Sequence, residues 1–335
     1  MMSRTQLIVG SASTQANRPR SIPWTFFVGM SLILLFESLL YVDVHSRQGR
    51  YVVVETDMAL SRVLAHQRPG LRAEIARQVA INMTPAAWFA YLIMLDGVLH
   101  WQGHSPIRNR PHHFAAAFLA SITIWCVFDW INFYYIKAWS YIGIPAMDAG
   151  TALGYAIAFG SIVPGMLMTG QVLLNLGVFD FARGPRWRMP AGGLVLSSVA
   201  GAAMLAWPIV HPDPITNLTL WTSFVFLLDP INFLLGRPSM FRDWQNGWYG
   251  RTLAAFAGGL CCGLLWEFWN YWALSKWVYH LPFLGRAENI RYFQMPVPGL
   301  IGFVPFGIEC WVMWQFMRIP LDGMVEPLPD DRWLI

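Results

Sequence analysis

Two seven-residue segments of this chain carry one pattern: Phe128-Asp129-Trp130-Ile131-Asn132-Phe133-Tyr134 and Trp266-Glu267-Phe268-Trp269-Asn270-Tyr271-Trp272. Each sets an acid and an Asn three residues apart among aromatics, inside an apolar stretch long enough to cross a bilayer. On a helix, residues three apart share a face. Each copy then reaches a Trp and a Tyr at matched spacing, Trp139 and Tyr141 in the first, Trp277 and Tyr279 in the second, with no gap needed to align them. A chain with this feature must hide carboxylates inside hydrocarbon, twice and in the same way.

Composition removes the soluble alternative. Of 335 residues, 56% are hydrophobic and 13% charged, too little polar surface to cover a soluble globule of that size. The apolar blocks predict an all-α, polytopic membrane helix bundle of about eight transmembrane helices, near Ile22–Val44, Thr84–Trp101, His113–Tyr135, Thr151–Phe179, Ala191–Val210, Asn217–Gly236, Arg251–Leu274 and Val297–Met317. The first is expected to remain as an anchor, since no small-residue cleavage site follows it. All four cysteines, Cys126, Cys261, Cys262 and Cys310, fall within these spans and suggest neither disulfide nor metal.

The pattern predicts a duplicated four-helix unit. Residues 22–179 would form the first copy, with an extramembrane insertion at about 45–83, and residues 191–317 the second, between tails 1–21 and 318–335. An even helix number per copy makes the two parallel, related by a pseudo-twofold axis along the membrane normal. Leu95-Asp96 matches Leu228-Asp229, and both copies pass a Pro, Pro145 or Pro282, before a helix broken by Gly and Pro.

Lys and Arg asymmetry predicts orientation. Arg108/Arg110, Arg183/Arg186/Arg188 and Arg237/Arg242 share one side with both ends of the chain, and the loop between the fifth and sixth spans has no Lys or Arg. Both termini are therefore expected on the cytoplasmic face of the inner membrane. The formal charge of +4 then reads as a basic edge meeting anionic lipid, with no argument for nucleic acid.

Glu37, Asp96, Asp129, Asp229, Glu267 and Glu309 lie within predicted spans. A charged carboxylate at a span centre costs at least ~2.5 kcal/mol, so these groups are expected to face protein or water. The candidate catalytic acids are Glu267, Asp129 and Glu309. Asn132, Asn270, Trp130, Trp266, Trp269, Trp272 and Tyr134 are candidate substrate-binding residues around them. Asp96 and Asp229 sit near helix ends and suit capping; Glu37 suits a structural role. For Asp129 and Glu267, proton donation and interhelical hydrogen bonding are both open. Trp139 and Trp277, near predicted membrane surfaces, read as interfacial anchors. His100, His104, His112 and His113 cluster at one loop without a diagnostic ligand spacing, and read as solvated. No metal or other cofactor is called for.

A Trp-Glu pair, Trp266-Glu267, in one helix and a partner acid, Asp129, in another, within an aromatic-rich bundle, resembles the integral-membrane terpene cyclases and, more distantly, the small membrane lycopene cyclases. The resemblance implies intramembrane carboxylates that protonate an alkene or epoxide and aromatics that shelter the carbocation, with a lipid or isoprenoid as ligand. Two other classes stay open from the residues alone: a proton-coupled transporter or lipid-binding module using the acids as a relay, and a scaffold subunit in which they are interhelical glue.

Overall fold

The structure is a computed structural model that describes residues 21–47, 56–65, 70–212, 216–329 and 332–335. The expected tail 1–21 lies almost wholly outside these residues. In chain order the helices are α1 (Trp24–Ser46), α2 (Asp57–Ala65), α3 (Leu71–Ile81), α4 (Met83–Trp101), α5 (Pro106–Asn109), α6 (Pro111–Ile131), α7 (Ala149–Gly160), α8 (Ile162–Asn175), α9 (Ala191–Val210), α10 (Asn217–Leu234), α11 (Met240–Gln245), α12 (Gly250–Trp272) and α13 (Phe303–Met317). Six spans among the described residues are long and apolar enough to cross a membrane, and α3–α4, bent by 74°, makes a seventh if counted as one. The remaining expected span is present as the shorter apolar helix Leu218–Leu234. Exposed Trp24, Phe27, Leu34 and Leu35 on α1, and Val195, Leu196, Val199 and Trp207 on α9, give the flanks an apolar surface suited to lipid.

The expected helix after Pro145 is broken at Ser161, between α7 and α8. Its counterpart after Pro282 is a 3₁₀ turn, Val297–Gly302, leading into α13.

Four short strands depart from the all-helical pattern: β1 (Trp139–Ile142), β2 (Lys276–Tyr279), β3 (Arg291–Tyr292) and β4 (Met295–Pro296). β1 and β2 are the segments that follow the two motifs, and they pair antiparallel: Trp139 faces Tyr279, Ser140 faces Val278 and Tyr141 faces Trp277. The offset that carries Asp129 onto Glu267 also carries Ser140 onto Val278, and so maps this ladder onto itself. Such a register is what two copies facing each other across a twofold would produce.

The insertion packs at the same end. Gly143 N–H donates to Asp57 Oδ1 at 2.9 Å, and Leu274 N–H to the Ala80 carbonyl at 2.9 Å. A buried ion pair between Arg47 and Asp43 ties the end of α1 to this layer, where Arg47 also donates to the Trp272 carbonyl.

At the opposite end two Asp side chains cap two short helices. Asp96 accepts from Ser105 Oγ at 2.6 Å and Ile107 N–H at 2.9 Å. Asp229 accepts from Ser239 Oγ, Met240 N–H and Phe241 N–H at 2.8–3.0 Å. Ser105 and Ser239 are in turn the N-caps of α5 and α11. The histidines here are not simply solvated. His113 is buried against Trp314, and His104 accepts from Arg110 Nε and packs on Trp333. Burial, and Arg110 beside it, lower the His104 pKa to about 4, which keeps that ring neutral as an acceptor. Nor do the last residues trail free: Leu334 and Ile335 are buried, and Leu334 N–H donates to Gln171 Oε1 at 2.7 Å.

The bundle centre closes on small residues. A Cβ on Gly259 would lie 2.2 Å from the Phe303 carbonyl oxygen, and one on Gly307 2.0 Å from that of Ala255, so α12 and α13 touch backbone to backbone. Gly259→Ala must force those helices apart, and overpacking of this kind costs about 1–3 kcal/mol. We expect a lower thermal unfolding temperature in detergent for Gly259→Ala. Gly192→Ala, on α9 with nothing within 4 Å of its added Cβ, should match or exceed the parent.

Candidate functional site

Each motif builds the same latch at the end of its helix. In the first copy Asn132 opens a π turn that ends at Ile136, and Lys137 takes a left-handed backbone conformation with φ 50°. The chain thereby doubles back. Asn132 Nδ2 donates to the Trp139 carbonyl at 2.8 Å, and its Oδ1 accepts from the N–H groups of Ala138 and Trp139 at 2.8 and 3.1 Å. In the second copy Asn270 bonds both the carbonyl and the N–H of Trp277, at 2.9 and 3.0 Å. Only a side-chain amide supplies both a donor and an acceptor in this geometry, which explains an Asn at this place in both motifs.

Strand periodicity then aims the aromatics. Residues two apart on a strand share a face, so Trp139 and Tyr141 both point back at the acid of their own motif. Asp129 accepts from Trp139 Nε1 at 3.1 Å and from the Tyr141 hydroxyl at 2.9 Å. Glu267 accepts from the Tyr279 hydroxyl at 2.8 Å, and Trp277 Nε1 donates to that hydroxyl at 2.8 Å. Burial, reinforced by the adjacent carboxylates, raises the pKa of Tyr141 and Tyr279 and holds both phenols protonated as donors. Glu267 Oε2 is sealed from solvent and has no hydrogen-bond partner among the described residues.

The paired strands bring the two latches together over an aromatic cavity of about 360 Å³. Its walls include Trp125, Trp139, Trp221, Trp266, Trp277, Tyr279, Phe303 and Phe306, with few polar groups between them. Ring contacts knit the lining: Trp125 lies 5.5 Å from Trp266 and 5.9 Å from Trp139, and Trp221 lies 5.4 Å from Phe306. Two apolar residues of the lining, Leu218 and Ile301, are 55% and 71% exposed and give the cavity an apolar rim. A smaller cavity of about 80 Å³ adjoins it, sharing Trp125, Trp266 and Trp277.

The sequence-predicted residues distribute unevenly about this centre. Trp266 lines both cavities. Glu267 and Asp129 lie one hydrogen bond behind it, each reaching the lining through a Tyr. Trp269 is buried one layer back, against Trp88 and Tyr91, with ring centroids 5.1 and 5.9 Å away. Asn132 and Asn270 spend their amides on the backbone. Trp130 and Tyr134 are turned outward, 49% and 70% exposed, and Trp272 is half-buried beside Tyr271. Glu309 is fully buried on α13, where it accepts from Phe224 N–H at 3.0 Å and lies outside the lining.

Trp139 and Trp277 correct the sequence reading. They are working parts of the latch and cavity wall rather than lipid-facing anchors, because the Asn bonds, joined in the first copy by the π turn, fold their strands back over the helix ends. Their matched spacing from each acid was the available signal. Trp125, four residues before Asp129, could be read from the sequence as an aromatic beside a buried acid; Trp221, Phe303 and Phe306 carried no signal, since they come from outside the repeated segment.

Comparison with protein-family models, with curated proteins and with solved structures gives no match. What this arrangement can do must therefore be argued from its chemistry. It can enclose an apolar chain among π faces, and it can present a phenol hydroxyl backed by a carboxylate.

Replacing Asn270 by Ala would strand the Trp277 N–H and carbonyl, at about 1–3 kcal/mol for each buried group left unpaired. We expect Asn270→Ala to lower thermal stability in detergent markedly. Tyr134→Phe, which alters only an outward-facing hydroxyl, should stay within about 0.5 kcal/mol of the parent.

Proposed function

We propose that this chain is an intramembrane enzyme that carries out acid chemistry on an isoprenoid or similar lipid, of the cyclase or isomerase type. The observation that carries the reading is the aromatic cavity lined by Tyr279, whose hydroxyl is hydrogen-bonded to Glu267. In the proposed step the Tyr279 proton passes to an alkene or epoxide of the substrate while a proton from Glu267 replaces it. Indole faces of Trp125, Trp266 and Trp277 stabilise the resulting cation, and the cation then returns a proton through Tyr279 to the Glu267 carboxylate, which restores the acid and balances the reaction. Asp129 holds Tyr141 and Trp139 in place on the facing side. Entry over Leu218 and Ile301 would admit a lipid directly from the bilayer. All of the cavity lining comes from the strand end of the bundle, which favours a closed reaction chamber over a passage between two faces.

The same reading takes the molecule as a duplicated four-helix unit in the inner membrane, with its basic end, including Arg186, in the cytoplasm. An introduced cysteine at Arg186, an exposed position, should then be reached by a membrane-impermeant maleimide only after the membrane is opened from the cytoplasmic side. One at Met58, also exposed, should react from outside; the reverse pattern inverts the orientation.

Glu267→Gln tests the chemistry. Gln preserves size and can still accept from Tyr279, but it cannot supply the proton. Conversion of polyprenyl substrates in membranes should fall by about 10²-fold or more while thermal stability is retained. Normal turnover by Glu267→Gln would remove the acid from catalysis and leave lipid binding, transport or a scaffold role ahead.

A further inference from the structure

The smaller cavity differs in character from the larger one it adjoins. Its lining includes Asn82, Tyr141, Thr151, Tyr155, Ser275 and Lys276, all polar, beside the three shared indoles. Three hydroxyls of the lining are unspent among the described residues: Thr84 Oγ1 is sealed from solvent without a hydrogen-bond partner, and those of Tyr155 and Ser275 have no partner and are not sealed. Thr151, by contrast, donates to the Ala146 carbonyl, and Tyr141 to Asp129. Free hydroxyls at the polar end of an otherwise apolar site are donors that await an acceptor.

Charge narrows the class of acceptor. Among the described residues the lining holds one cation, Lys276, which is buried and donates Nζ to the Tyr271 carbonyl at 3.0 Å. The Asp129 carboxylate stands immediately behind Tyr141. A diphosphate would bring several negative charges into a place with a carboxylate at its back and no second cation among its described walls. A hydroxyl or carbonyl oxygen needs only the Tyr155 and Ser275 donors.

We propose that this smaller cavity is a head-group compartment, in which the uncharged, oxygen-bearing end of an isoprenoid accepts from Tyr155 and Ser275 while its hydrocarbon chain lies in the aromatic cavity. The proposal rests on the reading of the aromatic cavity given above and names the substrate class for it. Prenyl alcohols and prenyl quinones share this chemistry.

Equilibrium binding to the full chain in nanodiscs tests it with four probes: geranylgeraniol, a quinone with a two-isoprene tail, geranylgeranyl diphosphate, and the C20 hydrocarbon lacking the hydroxyl. The alcohol or the quinone should bind about tenfold more tightly than the hydrocarbon, the worth of one or two net hydrogen bonds, and whichever does so identifies the source. Tyr155→Phe and Ser275→Ala, tested separately so that one folding failure leaves the other, should each shrink that ratio toward one. Equal binding of hydrocarbon and oxygen-bearing probes to the parent, or an unchanged ratio in both variants, overturns the head-group compartment and leaves the aromatic cavity standing. Tightest binding of the diphosphate overturns the uncharged head. Binding of none of the four removes the aromatic-cavity reading, and the compartment falls with it.

Discussion

A side-chain amide at the end of a membrane helix, closed on the backbone N–H and carbonyl of a Trp seven residues later, fixes where everything else in this molecule can go. Without that closure the chain leaving Asn132 or Asn270 would run on past the bundle. With it, each strand returns over its own helix, and strand periodicity turns a Trp and a Tyr toward the acid one turn before the Asn. The two returning strands then satisfy their remaining backbone groups on each other, and so seat the motifs side by side above a single cavity. An aromatic chamber follows, since the residues the ladder covers are the Trp and Phe side chains of the helices beneath it.

The buried acids divide by what surrounds them. Asp96 and Asp229 collect backbone N–H groups and a Ser hydroxyl, the coordination of a helix cap, and their work is complete in the fold. Asp129 is held by Trp139 and Tyr141. Glu267, one methylene longer than its counterpart, accepts from Tyr279 through one oxygen and keeps the second buried without a hydrogen-bond partner among the described residues. A buried polar atom left open costs free energy; Glu309 Oε2 on α13 stands the same way, but Glu267 alone of the two is joined through a Tyr to the cavity lining. This asymmetry between the two motifs is what favours Glu267 over Asp129 in the proposed chemistry.

Much of the architecture was legible because bilayer crossing demands long apolar runs, and those runs marked every span, including the shorter Leu218–Leu234. The likeness of the two motifs was legible from the ungapped acid, Asn, Trp and Tyr spacing, and capping by Asp96 and Asp229 from their nearness to helix ends. The strands were not. Four-residue segments such as Trp139–Ile142 follow a helix with no Gly or Pro between, and only the π turn, invisible in composition, separates them. Orientation about the helix axis was equally hidden: Trp130 and Tyr134 belong to the motif by spacing, yet they turn outward, and with apolar or aromatic residues on all sides of this stretch and only Asp129 and Asn132 polar in it, periodicity has little contrast to read. Wall residues contributed by α10 and α13 could be found only in three dimensions.

The central claim is that the two motif copies meet face to face through β1 and β2. In a chain with Cys126, Cys261, Cys262 and Cys310 replaced by Ser, cysteines at Ser140 and Val278 stand directly opposite on the ladder. Opposed antiparallel residues have Cα atoms about 4.5–5.5 Å apart, within the range a disulfide spans. Mild oxidation in membranes should join them, so that cleavage near Arg186 leaves the two halves linked until a reductant is added. Halves that separate after cleavage, from a chain in which each single cysteine can be labelled, would contradict the account.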